Sequence, residues 1–209
     1  SSLLPGAVAT DGYLVVESSG SPADTLVGIQ TYRNQSDIAL LNAIPDSSRA
    51  RTGYIPHLIA FSVFVSRFTL VNPTNQAQTV TLTAENLESN GQTLAPSTVN
   101  RTIPANGRFE ENIVTLFGLS SPALLAGSIR WQTQGDTAGV VGFLDYGTTD
   151  GVLLSAVPAQ SSGYSDLFFS HVAQGSGFYT GLAFLNPNVQ ATVIAIDVFN
   201  QDGIKMGSA

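Results

Sequence analysis

The 209-residue chain contains no cysteine. That excludes disulfide staples, thiolate-ligated zinc and thiol nucleophiles. Charged residues make up only 11% of it, against roughly 25% in an average soluble domain. Arg33, Arg49, Arg51, Arg67, Arg101, Arg108, Arg130 and Lys205 are scattered singly. No basic stripe can neutralise phosphates or an anionic membrane surface, so nucleic acid is not an expected partner. No apolar run reaches the roughly 18 residues of a membrane-spanning helix, so no transmembrane segment is expected. No nucleophile elbow, His-Glu-x-x-His pair, Walker loop or EF-hand loop occurs. A non-enzymatic chain without cofactor or metal is therefore expected. Disorder is excluded as well, because 43% of the residues are hydrophobic.

What is present is a repeat. Gly142-Phe143-Leu144-Asp145-Tyr146 echoes Gly28-Ile29-Gln30-Thr31-Tyr32, 114 residues earlier. Pro158 follows a run like the one before Pro45, 113 residues earlier. His171-Val172 echoes His57-Leu58, and Asn186-Pro187 echoes Asn72-Pro73, both at 114. Four matches in one order at one spacing define a repeat of about 114 residues. Such a unit is too long for a solenoid module, so each complete copy should own a core.

Short strands are expected throughout. Residues 79–85 alternate Val80, Leu82 and Ala84 against Thr79, Thr81 and Thr83, the pattern of a half-buried strand. Similar strands are read at 13–17, 25–32, 39–44, 67–71, 99–103, 108–113, 128–133, 139–146, 152–157, 167–172, 181–185 and 191–199, and 54–65 is the most apolar stretch of the chain. Ser89-Asn90-Gly91 and Pro104-Ala105-Asn106-Gly107 read as hairpin turns. One helical turn has room within 116–126. No window of 11 residues keeps a helical period with caps. The fold class is all-β: antiparallel β-sandwich units in tandem, immunoglobulin-like or fibronectin-III-like in strand number. The expected division is 1–56 as the later strands of one unit, 57–170 as a complete unit, and 171–209 as the first strands of a further unit. Trp131 and its counterpart Val16 are expected in cores.

The run Tyr54-Ile55-Pro56-His57-Leu58, then Phe68-Thr69-Leu70-Val71-Asn72-Pro73, then Thr79-Val80-Thr81-Leu82 resembles tandem β-sandwich repeats of large secreted or surface proteins of environmental bacteria. The resemblance implies an extracellular or cell-surface location and a structural or adhesive role. It brings no catalytic residues.

Candidate positions follow from the repeat. His57 and His171 are equivalent, which favours a structural role for both over a base or metal ligand. Tyr32 and Tyr146 are equivalent and suit a tyrosine-corner-like anchor, with a buried ring and a backbone-bonded hydroxyl. Asn72 and Asn186 head equivalent Asn-Pro turns. Adjacent Glu110 and Glu111 point to opposite faces of a strand and cannot flank one glycosidic bond. Asp145 and Asp150 are spaced for a weak calcium site, but a turn role suits them better.

Residues 59–65 are apolar where the second copy has a polar glycine turn. Ile59, Phe61, Val63 and Phe64 are therefore expected at a contact with another unit or subunit. Half-units at the two ends would each leave an apolar face and a strand edge uncovered. Three arrangements would cover them: closure on each other within one chain, complementation between chains, or continuation of a longer tandem array. Complementation between chains is favoured and would build a homopolymer head to tail. Glycans bound by exposed Tyr and Asn, as in a carbohydrate-binding module, are the alternative partner.

Overall fold

A computed structural model describes residues 12–17, 26–33, 38–120, 124–135, 139–150, 154–173, 175–177 and 180–209, with the side chains of Tyr32 and Arg33 excepted. Residues 18–25 and 34–37, which flank the strand expected at 25–32, lie outside the described residues, as does Thr25 of that strand. The chain divides into two compact units, Ser1–Asp166 and Leu167–Ala209.

The first unit is built on antiparallel strands, and five residues of it are α-helical. A hairpin of β1 (Ile29–Arg33) and β2 (Ile38–Asn42) precedes the main body. The body comprises β3 (Thr52–Phe61), β4 (Phe64–Val71), β5 (Gln78–Ser89), β6 (Gln92–Thr93), β7 (Ser97–Ile103), β8 (Arg108–Asn112), α1 (Ile113–Phe117), β9 (Leu124–Thr133), β10 (Val141–Thr148) and β11 (Leu154–Pro158). Pairing separates them into two layers. One runs β7-β5-β9-β3, with β6 as a short hairpin return from β5. The other runs β8-β4-β10-β11. A single ladder contact, Phe61 opposite Phe64, joins them at the β3–β4 turn. After β11 the chain crosses back, and Tyr54 and Gln160 exchange two backbone hydrogen bonds of 2.8 and 2.9 Å. The strands of this sandwich thus run from 52 to 160, and β3 passes unbroken through position 57.

Both layers feed one core. Ile55, Leu58, Val80, Leu82, Ile129 and Trp131 come from the first, and Phe68, Leu70 and Leu144 from the second. The Phe68 and Trp131 rings meet across it at 6.0 Å. Trp131 lies flat over its cross-strand partner Gly53, where a Cβ would fall 2.0 Å from Cζ2 of the indole. On its far side the ring approaches Gly142, whose Cβ would sit 3.2 Å from the indole and 2.8 Å from Leu70 Cδ2. The absence of side chains at these two places is what admits the largest residue of the core.

The alternation expected over 79–85 is present, with Val80, Leu82 and Ala84 inward. It then slips. Ala84 and Leu87 both face the core although they are three residues apart, because a bulge follows Glu85. Asn86 takes φ 54° there, a left-handed conformation that Asn tolerates. A second bulge, at Pro56-His57 in β3, turns both Ile55 and Leu58 inward. The two bulges flank β9 from both sides at Gly127, where a Cβ would be 2.8 Å from Leu87 Cδ2. Paired bulges at one level coil a sheet more strongly.

Two expectations need correction. The turn at 104–107 is no hairpin: β7 pairs with β5 and β8 with β4, so this turn carries the chain from one layer to the other. Its local chemistry is that of a tight turn, with Asn106 at φ 51° and Gly107 N–H donating to Pro104 O. Local chemistry sets the reversal but not the partner. The helical turn begins at 113, ahead of the expected window, because Asn112 caps it by accepting from Val114 N–H at 2.9 Å. Gly118 ends it at φ 62°.

Among its described residues the second unit contains one hairpin, β12 (Asp197–Phe199) with β13 (Lys205–Ser208). The strands expected at 167–172 and 181–185 form no ladder among the described residues, and neither does 13–17. Of 191–199, only Asp197–Phe199 form a strand, and Ile196 extends its hairpin by exchanging two backbone hydrogen bonds with Ala209. Strand character in the sequence becomes a strand only where an edge is available to receive it.

Candidate functional site

Polar groups inside the sandwich are committed to holding it. Asn72 is fully buried at the end of β4. Its Nδ2 donates to Gln76 O and Pro104 O at 2.8 Å each and approaches Ile103 O at 3.2 Å. Its Oδ1 accepts from the N–H and hydroxyl of Thr74. One amide therefore ties the β4–β5 turn to the crossover between layers. Asn186 forms the same turn, with Nδ2 on Gln190 O at 2.6 Å and Oδ1 accepting from Asn188 N–H at 3.0 Å. A second local structure also recurs at the repeat spacing. The Ser66 hydroxyl bonds both backbone groups of Ile59, and the Thr180 hydroxyl bonds both of Ala173, at 2.8 and 3.1 Å.

His57 lies in the β3 bulge, and its carbonyl accepts from the Tyr146 hydroxyl at 3.1 Å. Tyr146 thereby spans the two layers. Burial pushes its phenol up to about 12 and lowers the His57 imidazole. Tyr32 occupies the β1 position opposite Ala39. His171 is exposed in the second unit.

Asp145 is buried and pairs with its cross-strand neighbour Arg67 at 2.9 Å. Burial raises the Asp145 carboxyl; the Arg67 charge and hydrogen bond pull the other way. A carboxylate so engaged is no open calcium ligand. Glu110 pairs with Arg108 and accepts from Thr69, whereas Glu111 pairs with Arg101 at 3.1 Å. The two carboxylates are thus directed apart. Among the described residues no group of three or more His, Cys, Asp or Glu side chains is placed to hold a metal ion.

The four apolar positions singled out in 59–65 sit at the β3–β4 turn. Ile59 is half-buried and held by Ser66. The Phe61 and Phe64 rings stack on each other at 5.0 Å and 16°. Val63 is 51% exposed at the tip.

A larger feature emerges when the two units are compared at the repeat spacing. Ile55, Leu58, Phe68, Leu70 and Val80 are all 0% exposed; their equivalents Phe169, Val172, Leu182, Phe184 and Ile194 are 54, 54, 39, 36 and 48% exposed. At the other end, Leu14, Val16 and Leu26 are 60–76% exposed, while their equivalents Ile129 and Trp131 (115 residues on) and Val140 (114 on) are at most 2%. Each of these core residues thus has one exposed counterpart, five of them in 169–194 and three in 14–26. Phe169 and Phe184 still meet edge to face at 5.9 Å, as a beginning of that core. Sequence patterning marks these residues as inward-facing, and the repeat marks which residues would cover them. Only solvent exposure reveals that they lie open.

No family model matches the chain, and no curated protein resembles it closely enough to count as a relative.

Proposed function

We propose that this chain is a non-enzymatic structural or adhesive β-sandwich repeat protein of the cell exterior. It assembles head to tail by strand complementation into a fibre or surface layer. The observation that carries this reading is the exposure of the core-equivalent residues Phe169, Val172, Leu182 and Phe184, and of Leu14, Val16 and Leu26. Contiguous exposed apolar faces mark contact surfaces. Each exposed set corresponds to one half of the same core, so the two sets are complementary in kind. A head-to-tail contact does not use itself up and propagates into an open filament unless its rotation closes a ring. The extracellular setting rests on the resemblance to secreted bacterial repeats and on a surface poor in charge.

The test is assembly. Light scattering and electron microscopy should find polymers of the full chain, and a chain lacking Leu167–Ala209 should stay monomeric. A truncated chain that polymerises as well as the full one refutes the proposal. Glycans are the second partner class. Tyr164, 68% exposed beside a shallow crevice lined by Asn42, Pro45, Pro158 and Gln160, is the position at which a sugar ring would stack.

A further inference from the structure

The outward face of the layer β7-β5-β9-β3 is a grid of hydrogen-bonding side chains, aligned across four strands by their register. In one row Asn100, Thr81, Gln132 and Thr52 stand side by side on β7, β5, β9 and β3. In the next row Thr98, Thr83, Arg130 and Tyr54 do the same, and the bridge from Tyr54 to Gln160 extends it by one place. Directly opposed residues of paired strands share a face, and the positions between these rows, Leu82 and Trp131, point into the core. Thr98, Asn100 and Gln132 are exposed, and Thr81, Thr83, Arg130 and Tyr54 are half-buried. Gln160 is exposed and also lines the crevice beside Tyr164, so the second row ends where that crevice begins.

Hydrogen bonds within the grid leave capacity on it. The Thr81 hydroxyl donates to Asn100 Oδ1 at 2.8 Å, which leaves both Nδ2 protons of Asn100 to donate. Thr83 and Thr98 share one bond of 3.3 Å, so one of their two hydroxyl protons remains. Arg130, the one charged side chain of the two rows, is set against Glu85 at 3.5 Å. The face is therefore neutral, although the chain carries a net charge of −7.

We propose that this face binds a neutral polysaccharide chain laid across β7, β5, β9 and β3. The proposal rests on the glycan reading above and extends it from the Tyr164 crevice to a whole sheet face. Complementarity of charge and hydrogen bonding selects the occupant. A neutral glycan brings hydroxyls that both donate and accept, together with apolar ring faces. The grid meets these with amides and hydroxyls, and with the Tyr54 ring for stacking. A nucleic acid would need cations for its phosphates, and the one cation here is already paired. A protein partner would need an apolar centre to its interface, and the two rows hold no Leu, Ile, Val, Met or Phe. The site lies within one sandwich and does not depend on assembly of copies.

Isothermal titration calorimetry of the full chain tests this, with hydroxyethyl cellulose, galactomannan and mixed-linkage β-glucan as neutral probes and alginate as the anionic control. The expected result is saturable binding of at least one neutral polymer and none of alginate. The double variant Asn100→Ala/Gln132→Ala should bind that polymer about tenfold more weakly, as expected for the loss of two or three hydrogen bonds. Both residues are exposed, so its melting temperature should match that of the parent. Tyr164→Ala should bind as the parent does or only slightly more weakly. If Tyr164→Ala abolishes binding and the double variant binds as the parent does, the sheet face is overturned while the glycan reading stands at the crevice. Equal binding of alginate overturns the neutral class of ligand. If none of the three neutral polymers binds, the face and the glycan reading fall together.

Discussion

Gly53 is the residue on which the core turns. Trp131 occupies the space a side chain would need, so Gly53→Ala would place a Cβ only 2.0 Å from a buried ring atom. Overpacking of a rigid core costs typically about 1–3 kcal/mol, and this substitution belongs at the upper end. Urea unfolding should show a loss of about 3 kcal/mol, part of it regained when Trp131→Leu is added. Trp131 Nε1 is also the buried side-chain polar atom that lacks a partner among the described residues, so shortening this residue removes an unsatisfied donor with the ring. Two titrating groups make opposite contributions to acid stability. Burial lowers the pKa of His57, so below about pH 6.5 the unfolded chain binds a proton that the folded one resists. Stability from His57 is present above that pH and is lost as pH falls through the lowered value. Burial raises the pKa of Asp145, so the folded state favours the protonated acid; stability falls as pH rises from about 3.9 through the raised value. Asp145→Asn should therefore compare best with the parent near pH 7 and lose ground toward pH 4, while His57→Gln should flatten the decline below about pH 6.5. Unfolding curves at several pH values decide both; a parent–variant difference independent of pH would contradict these assignments.

At the scale of elements, the crossover between layers depends on a single amide. Asn72→Ala would leave the carbonyls of Pro104 and Ile103 without this donor inside the fold, and the Thr74 N–H without its acceptor. Each lost buried partner costs about 1–3 kcal/mol, so a total of about 3 kcal/mol or more is expected by denaturant unfolding. Asn186→Ala removes only exposed bonds in the unassembled chain and should cost well under that. The short helix α1 depends on its cap, and Asn112→Ala should cost about 1 kcal/mol. The outer face of β5 needs no such anchor. Thr79, Thr81 and Thr83 pair across to Thr102, Asn100 and Thr98 at 3.1, 2.8 and 3.3 Å, a ladder of small cross-strand gains.

For the whole molecule, the two units place equivalent residues in opposite surroundings. Leu70→Ser should unfold the sandwich, because the residue is fully buried. Phe184→Ser should leave its melting temperature unchanged and instead reduce polymer formation measured by light scattering. Should both substitutions affect only folding, the exposed face of the second unit is not a contact.

The sequence by itself determined the β class, the 114-residue spacing and most inward-facing positions, because alternation and turn residues are local properties of the backbone. The Asn72 and Asn186 turns were legible for the same reason. Other features were decided only by tertiary structure. The turn at 104–107 looks like a hairpin locally, yet Asn72 and the free edges of β4 and β5 send its two strands to different layers. The bulges after Ile55 and Glu85 arise because a coiled sheet must bring Leu58 and Leu87 back to one core. Whether an inward-facing residue is covered depends on which strands lie across from it, a property of the partner and not of the residue. Leu70 and Phe184 carry the same local pattern, and only packing makes one of them core and leaves the other open.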